Sequence, residues 1–282
     1  MRGTDISPLS ILLSRVDAIA DGSAEPESIA SGFASLDKLL GGGFRRGDLV
    51  VLGGDVGSGK SALALAIAVR ASMAGHRVAF FSGEMMVDRV LERILALESR
   101  VQIDDLRRGT LDDIARANAG AVAVRLRDSL PLIERLPAGG TDALAETIDE
   151  IPTGDLLVVD SLAALTTGGR TLDEELAVAV QRLKSLALER RKVILVTAPL
   201  PHLEARPDRR PILDDFGALG AVKQQADVVL GLFREDMYES ARDITGATEL
   251  IVRKNRNGSL GYADLYFYAA WMRFEDMLDP DR

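Results

Sequence analysis

Residues 54–61 determine how the rest of the sequence is interpreted. They are Gly54-Asp55-Val56-Gly57-Ser58-Gly59-Lys60-Ser61, which fits the phosphate-binding pattern G-x-x-x-x-G-K-S. A short β-rich run precedes them at 48–52, and a run of helix-forming residues follows at 62–69. Backbone N–H groups converge where such a loop enters a helix, and the helix dipole favours negative charge there. The stretch therefore predicts a nucleotide-binding loop rather than a simple glycine turn.

Three side chains have expected roles around this loop. Lys60 should reach the β- and γ-phosphates of a nucleotide, and the Ser61 hydroxyl should hold Mg²⁺. Residues 155–159 form an apolar run that ends in Asp160. A carboxylate at the end of a buried strand beside the loop can orient Mg²⁺ and its waters. A strand can also end in aspartate only because a loop begins, but the upstream loop favours the metal role for Asp160.

Composition excludes several classes of function. The chain has 282 residues and a net charge of −9, so any nucleic-acid contact needs a local basic patch. It has no cysteine and two histidines, which excludes disulfides, cysteine nucleophiles and a histidine-rich metal site. No apolar run reaches the roughly 18 residues that suggest a membrane span. Neither is there a secretory signal pattern, so we expect a cytoplasmic protein.

The remaining sequence alternates between strand and helix patterns. Strands are expected at 77–82, 132–136, 155–160, 193–197, 227–233, 248–254 and 260–268. Helices are expected at 86–127 with breaks near 103 and 109, and at 141–150, 171–190 and 214–225. This alternation predicts an α/β fold with a mostly parallel sheet covered by helices on both faces. Asn257-Gly258 predicts a tight hairpin that adds antiparallel strands at one edge.

The N-terminal segment is predicted to be separate from the main domain. Residues 6–20 carry an apolar stripe at helical spacing, and the polar stretch 21–27 is typical of a linker. We therefore expect a linker helix and tether at 1–27 and one large domain at 28–282. The pattern alone leaves open whether the stripe packs on its own domain or on a neighbouring subunit.

Over residues 31–274 the sequence resembles the C-terminal motor domain of DnaB-type replicative helicases, a RecA-like fold. The resemblance is carried by Gly32-Phe33 with Leu36-Asp37, and by the segments 80–85 (Phe-Phe-Ser-Gly-Glu-Met), 206–211, 225–229 and 254–258. It implies a P-loop ATPase that uses ATP and Mg²⁺ and translocates on single-stranded DNA. It also implies a homo-oligomeric ring, usually a hexamer in this family.

The resemblance assigns further roles. Glu84 matches the family's catalytic glutamate, which activates water against the γ-phosphate. Lys254 and Arg256 match cations that such motors insert into the neighbouring subunit's site, although basic residues on a hairpin are often only exposed charges. The helix in 1–27 resembles the linker helix that docks on the adjacent motor domain, which favours the subunit contact.

Two departures from the family concern its architecture and its phosphate sensor. We expect no counterpart of the family's N-terminal helical domain before residue 31. After the strand at 193–197 the family usually places a polar γ-phosphate sensor, commonly glutamine. Here Ala198-Pro199 follows the strand, and neither side chain can form a hydrogen bond.

A third departure affects the DNA-facing loop. Gly217-Ala218 replaces an Arg-Glu pair that the family usually carries there. Arg206, Arg209 and Arg210 are candidate DNA contacts that could compensate, although a Pro/Arg-rich loop is more often merely solvated.

Two functions therefore remain open. The first is a DnaB-like ring helicase or translocase on single-stranded DNA, favoured by the ordered motifs. The second is a RecA-like ATPase similar to KaiC or RadA proteins, which uses ATP to switch assembly and does not unwind DNA. The acidic composition and the altered loop favour this alternative. A small-molecule kinase is disfavoured because it leaves the basic hairpin and the linker helix unexplained.

Overall fold

A computed structural model describes residues 7–24, 27–150, 154–200, 203, 206–238 and 245–277. The strands are β1 (Ser28–Ile29), β2 (Phe44–Arg45), β3 (Leu49–Gly54), β4 (Val78–Ser82), β5 (Leu132–Arg135), β6 (Leu156–Asp160), β7 (Val193–Pro199), β8 (Val228–Arg234), β9 (Ala247–Asn255), β10 (Gly261–Tyr268) and β11 (Arg273–Asp276). The helices are α1 (Pro8–Ala20), α2 (Ala34–Leu40), α3 (Lys60–Met73), α4 (Val87–Ser99), α5 (Ile103–Arg108), α6 (Asp113–Leu126), α7 (Gly140–Glu150), α8 (Leu172–Arg190) and α9 (Ala221–Gln225).

Nine of the described strands form one sheet in the order β11-β10-β9-β8-β3-β7-β6-β4-β5. The six strands from β8 to β5 pair in parallel, and β9, β10 and β11 add antiparallel pairs at one end. The predicted α/β class, with an antiparallel C-terminal hairpin, is therefore confirmed. Because parallel strands share a direction, the carboxyl ends of β3, β7, β6 and β4 meet at one edge of the sheet.

Strand β3 is at the centre of the sheet, and all six of its residues are buried. Val50 and Leu52 pack into the core on the side of α3, whereas Leu49 and Val51 pack into the core on the side of α8. Burying one such side chain stabilises the fold by about 1.5–3 kcal/mol. The strand that leads into the phosphate-binding loop is thus fixed from both faces.

One predicted helix is wrong. Residues 214–225 were expected to form a single helix, but only α9 is α-helical, and two short 3₁₀ turns precede it. Gly217 and Gly220 have φ angles of 55° and 79°, and Ala218 and Leu219 have 51° and 50°. These values lie in the left-handed region, where a right-handed helix cannot continue. Two short 3₁₀ turns therefore replace the first part of the predicted helix.

The other predicted boundaries lie closer to those in the structure. The helical region 86–127 divides into α4, α5 and α6, as the expected breaks require, with Arg100 and Gly109 ending the first two helices in left-handed conformations. The Asn257-Gly258 turn is longer than a two-residue hairpin, because residues 256–260 connect β9 to β10. The short strands β1, β2 and β11 were not predicted.

Helix α1 contains no buried residue. Its apolar stripe is exposed, with Leu9 at 70% and Leu13 at 62% of their full accessible surface. In this structure the stripe therefore does not pack on its own domain. None of the helices in the described part of the chain is long and apolar enough to cross a membrane.

Candidate nucleotide-binding site

The phosphate-binding loop depends on its glycines. Gly57 and Gly59 have φ angles of 81° and 101°, which other residues rarely adopt. A Cβ atom on Gly59 would lie 2.9 Å from the Phe274 ring, and one on Gly54 would lie 2.8 Å from the carbonyl oxygen of Leu232. The loop can therefore curl tightly between β3 and the N-terminus of α3 only with glycine at these positions.

Lys60 is the first residue of α3 and faces back into its own loop. Its Nζ donates a hydrogen bond to the backbone oxygen of Asp55 at 2.7 Å. Burial lowers the pKa of Lys60, while the nearby carboxylates of Asp160, Asp55 and Glu84 oppose that shift. A half-buried ammonium at a helix N-terminus is well placed to contact a bound phosphate.

Asp160 lies at the end of β6 and is almost completely buried. Its Oδ1 accepts hydrogen bonds from Thr197 Oγ1 at 2.6 Å and from Ser61 Oγ at 3.0 Å. Burial raises the pKa of Asp160, and these two hydrogen bonds oppose the rise. The structure thus brings together the two residues predicted to hold Mg²⁺, and a hydroxyl beside a carboxylate fits that ion's preference for oxygen ligands.

Glu84 lies two residues beyond the end of β4. Because Ser82 pairs with Asp160 across the sheet, Glu84 lies next to the start of the loop that follows β6. The Ser161 hydroxyl donates to Glu84 Oε1 at 2.6 Å. Glu84 is exposed, so the hydrogen bond from Ser161 orients a carboxylate that water can reach. Sequence reasoning gave Ser161 no role, because its contact comes from the pairing of two strands.

A cleft of about 520 Å³ connects these groups, which is a usual volume for a small-molecule site. The predicted residues that line it are Val56, Gly57, Gly59, Lys60, Ser61, Glu84 and Asp160. Gly54, Asp55 and Ser58 belong to the loop without lining the cleft. The lining residues that were not predicted include Arg93, Ser161, Thr197 and Arg234.

Unpaired polar atoms mark the same cleft. In the described residues, three buried side-chain atoms have no hydrogen-bond partner: Ser58 Oγ, Arg93 Nε and Asp160 Oδ2. Arg93 and Asp160 line the cleft, and Ser58 is part of the phosphate-binding loop. Leaving a buried polar atom unpaired costs about 1–3 kcal/mol, so such atoms usually have a ligand or water as their partner. Their clustering indicates that a polar ligand belongs in the cleft.

Lys254 and Arg256 lie at the opposite edge of the sheet. Because β9 is antiparallel to β8, Asn255 pairs with Val228, the first residue of β8. Val228 in turn pairs with Val50 of β3, and Gly54 lies four residues further along that strand, about 13 Å away. Lys254 Nζ donates to the Lys223 carbonyl at 2.7 Å, and Arg256 donates to Asp227 Oδ1 at 3.0 Å. The structure does not bring either cation to the cleft of the same chain.

The three arginines suggested as DNA contacts differ from one another. Arg206 forms a two-pronged ion pair with Asp215, with distances of 2.6 and 2.9 Å. Arg210 forms another with Glu249 at 2.6 and 2.7 Å, and this pairing raises the pKa of Arg210. The Arg209 guanidinium stacks over the Tyr238 ring at 4.6 Å. Two of the three charges are therefore balanced within the chain.

The sequence matches known proteins over most of its length. Residues 28–276 match the family described as the DnaB-like helicase C terminal domain. The replicative DNA helicase DnaC of Bacillus subtilis is 28% identical over 257 residues, which cover 88% of this chain and 56% of the relative. A DnaB of Buchnera aphidicola is 30% identical over 259 residues, which cover 88% and 55%. The chain thus spans little more than half the length of these relatives.

Solved structures show the same fold. A solved ATPase domain superposes with a TM-score of 0.86 at 22% identity, covering 97% of this chain and all of that one. A DnaB-like replicative helicase, described with its interactions with primase, gives 0.84 at 22%, covering 97% and 68%. A KaiC-like protein of Pyrococcus horikoshii gives 0.61 at 16%, covering 89% and 99%. The predicted RecA-like fold is confirmed.

Proposed function

We propose, because the chain belongs to the family of DnaB-like helicase C-terminal domains, that it is an ATP-hydrolysing motor that acts on single-stranded DNA. The observation that carries the proposal is the cleft in which Lys60, Ser61, Glu84 and Asp160 converge. A phosphate-binding loop, a paired hydroxyl and carboxylate, and an exposed glutamate are the parts that phosphoryl transfer to water requires.

Each group has a distinct task in this proposal. The loop N–H groups and Lys60 bind the phosphates of ATP, and Ser61 and Asp160 hold Mg²⁺. When bound, Mg²⁺ neutralises phosphate charge. Glu84 accepts a proton from the attacking water, and the hydrogen bond from Ser161 keeps its carboxylate oriented towards the cleft.

We also propose that the motor works as a homo-oligomeric ring, in the family's usual hexameric form. Lys254 and Arg256 are too far from the cleft of their own chain, but a ring can bring this edge of one subunit to the cleft of the next. The exposed stripe of α1 has the character of a subunit contact, in which residues 1–27 dock on the motor domain at 28–282 of a neighbour.

Among the three candidate DNA contacts, Arg209 has the best-placed charge. In the described part of the chain it forms no ion pair, whereas Arg206 and Arg210 each hold a carboxylate. Each neutralised phosphate on a single strand contributes about −0.7 to the slope of log affinity against log salt. Arg209→Ala should therefore flatten the slope by about 0.7 per subunit, and Arg210→Ala should flatten it less.

A second candidate function is an ATPase switch that assembles or binds a protein without unwinding DNA. The internal neutralisation of Arg206 and Arg210, and the uncharged Gly217-Ala218 turn, favour it. Both leave little positive charge on the loops that would face DNA in a protein with a net charge of −9.

ATPase rates with and without single-stranded DNA, at low salt, separate the two functions. A motor should be stimulated by the DNA, whereas the switch should show the same rate in both conditions. Lys60→Ala is the control, because near-normal hydrolysis in that variant would contradict the assignment of the cleft. Light scattering of the whole chain and of a variant lacking 1–27 tests the ring, because unchanged mass after the deletion would contradict a subunit contact through α1.

A further inference from the structure

We propose that Tyr238 is a positioning residue for the phosphate-binding loop and that it acts through Asp55. The inference rests on the proposed function and deepens it, because it concerns how the loop is held for a nucleotide. The Tyr238 hydroxyl donates a hydrogen bond to Asp55 Oδ2 at 2.7 Å. Asp55 follows Gly54 at the start of the loop, and Tyr238 lies 183 positions later than Asp55, beyond β8. The contact therefore fixes the loop from outside its own turn.

Asp55 also connects the loop to itself. Its Oδ1 accepts the N–H of Val56 at 2.6 Å, and its backbone oxygen accepts the N–H of Ser58 at 3.2 Å. The same backbone oxygen accepts a hydrogen bond from Lys60 Nζ at 2.7 Å. Each oxygen of Asp55 is thus bonded, and Oδ2 reaches another element of the fold. A displacement of Asp55 would move the backbone N–H groups and the ammonium that we propose bind phosphate.

Asp55 places a negative charge in a loop that would bind an anion, and its carboxylate and a phosphate would repel each other. The Val56 N–H and the Tyr238 hydroxyl offset that charge, since hydrogen bonds to an ionised oxygen are stronger than those between neutral groups. Asp55 and Tyr238 are both half-buried, so water does not fully screen the charge. Without the tyrosine hydroxyl, the carboxylate would be freer to rotate, and its repulsion of a phosphate would increase.

Tyr238 is itself held in place. Its ring stacks on the Phe233 ring at 5.9 Å between centroids, and the Arg209 guanidinium lies over it at 4.6 Å. Because β8 pairs in parallel with β3, Leu232 lies beside Gly54, and the chain that follows β8 passes next to the loop. The ring is therefore ordered by its own packing, and the contact of its hydroxyl with the loop costs little side-chain entropy.

A double-mutant cycle on the whole protein tests the inference. Tyr238→Phe removes the hydroxyl and keeps the ring. It should weaken the binding of ADP and of a non-hydrolysable ATP analogue alike by about 3- to 10-fold, the usual net contribution of one hydrogen bond. The hydrolysis rate at saturating ATP should change by less than a factor of about 2, because the proposed role of Tyr238 involves neither the reacting phosphate nor the attacking water. In an Asp55→Ala background, Tyr238→Phe should have no further effect on either affinity.

The matched control is Tyr262→Phe, because Tyr262 is an exposed tyrosine on β10. This variant loses the same hydroxyl and should leave both affinities and the rate unchanged. If Asp55→Ala is unfolded by circular dichroism or binds too weakly to measure, Asp55→Asn replaces it. The amide keeps an acceptor without the charge, so Tyr238→Phe should weaken binding less there than in the wild type. An equal loss would contradict the inference.

Three results would overturn the inference while the proposed function stands. The same loss from Tyr238→Phe in the wild-type and Asp55→Ala backgrounds would show that the hydroxyl does not act through Asp55. No loss in the wild type would show that the hydroxyl does not position the loop. A slower rate at saturating ATP with unchanged affinities would place Tyr238 in the chemical step instead. A wild-type protein that binds neither nucleotide would overturn the proposed function together with the inference.

Discussion

The two edges of the sheet each carry a buried aspartate, and the two are paired very differently. At the nucleotide edge, Asp160 uses one oxygen for Thr197 and Ser61 and leaves Oδ2 without a partner in the described residues. At the opposite edge, both oxygens of Asp227 are used: Oδ1 accepts from Arg256 at 3.0 Å. Its Oδ2 accepts from the Leu49 N–H at 2.8 Å and from Lys184 Nζ at 2.6 Å. Both side chains are buried, but their oxygens are paired very differently.

The two aspartates therefore differ in role: Asp160 is available to a ligand, whereas Asp227 connects parts of its own chain. We call the contacts of Asp227 with Leu49, Lys184 and Arg256 the structural joint. Lys184 also donates to the Gly47 carbonyl, and Asn257 donates to Asp48, so the edge around Asp227 ties the hairpin to the start of β3. Every oxygen of Asp227 that could bind a ligand there is already occupied by the chain. At the other edge the chain leaves donors and acceptors available. Both edges carry charged side chains, so the unpaired oxygen of Asp160 distinguishes the edge with the cleft better than the number of charges does.

Arg256 should produce the largest effect, because it belongs to the joint of its own chain and is proposed to act on its neighbour's site. Arg256→Ala should bind ATP nearly normally and hydrolyse it about 10³- to 10⁵-fold more slowly, the usual contribution of an arginine finger. Mixing this variant with Lys60→Ala subunits should restore some activity, measured as phosphate release. Mixed rings confirmed by mass and yet inactive would show that Arg256 does not act between subunits.

Glu84→Gln tests whether Glu84 contributes to ATP hydrolysis without contributing to ATP binding. The amide keeps the shape of the side chain and its contact with Ser161 but cannot accept the proton of water. Hydrolysis should fall by about 10²- to 10⁴-fold while ATP affinity stays within a factor of about 2. Single-turnover rates and equilibrium binding measure the two quantities. If affinity fell together with the rate, Glu84 would be a structural residue.

Asp227→Asn should destabilise the fold more than the matched exchange Asp160→Asn. It breaks a buried ion pair and leaves the largely buried ammonium of Lys184 without its carboxylate. Removing one partner of such a pair costs about 3–5 kcal/mol of unfolding free energy. Urea denaturation of the nucleotide-free protein measures the loss. A change below about 1 kcal/mol would mean that the joint contributes little to stability.

Asp160→Asn is the matched exchange at the other edge and should have the smallest effect on stability. It removes a buried charge that is only half-paired, so the unfolding free energy should change by less than about 1 kcal/mol or increase. Binding of Mg²⁺ with nucleotide should be lost nevertheless. A destabilisation equal to that of Asp227→Asn would show that the two edges do not differ.

The same variant has a pH signature. Burial raises the pKa of Asp160 above its ordinary value of 3.8, so the folded protein holds this proton more tightly than the unfolded chain. Its contribution to stability is present below pH 3.8 and is lost as the pH rises through the raised pKa. The wild type should therefore lose stability relative to Asp160→Asn across that window in Mg²⁺-free buffer. Parallel pH profiles would contradict the raised pKa.

The sequence predicted a feature well when the residues that determine it lie within one short segment. The phosphate-binding loop, Lys60, Ser61 and Asp160 were identified because short segments that carry their own strand and helix signals position them. The helix expected at 214–225 failed because Gly217 and Gly220 adopt left-handed angles that composition does not reveal.

Contacts between distant segments were not predictable in this way. Arg93 is one of 34 basic residues, and only the packing of α4 over the cleft distinguishes it from Arg89. The neutralisation of Arg210 depends on Glu249, which lies 39 positions further along the chain. No periodicity in the sequence indicates such a pair, so candidate DNA contacts that were equivalent by sequence became distinct in the structure.

Strand β3 joins the two edges, and this has a mechanical consequence. Its first residue, Leu49, is hydrogen-bonded to Asp227, which holds Arg256, and its last residue, Gly54, opens the phosphate-binding loop. Because parallel strands flank β3 on both sides and every one of its residues is buried, its backbone has little freedom to move. It is a rigid connection between Arg256, which we propose acts on the neighbouring subunit, and the phosphate-binding loop of its own subunit. In the proposed ring these strands would link one nucleotide site to the next, so a shift at one site would displace the arginine at the following site.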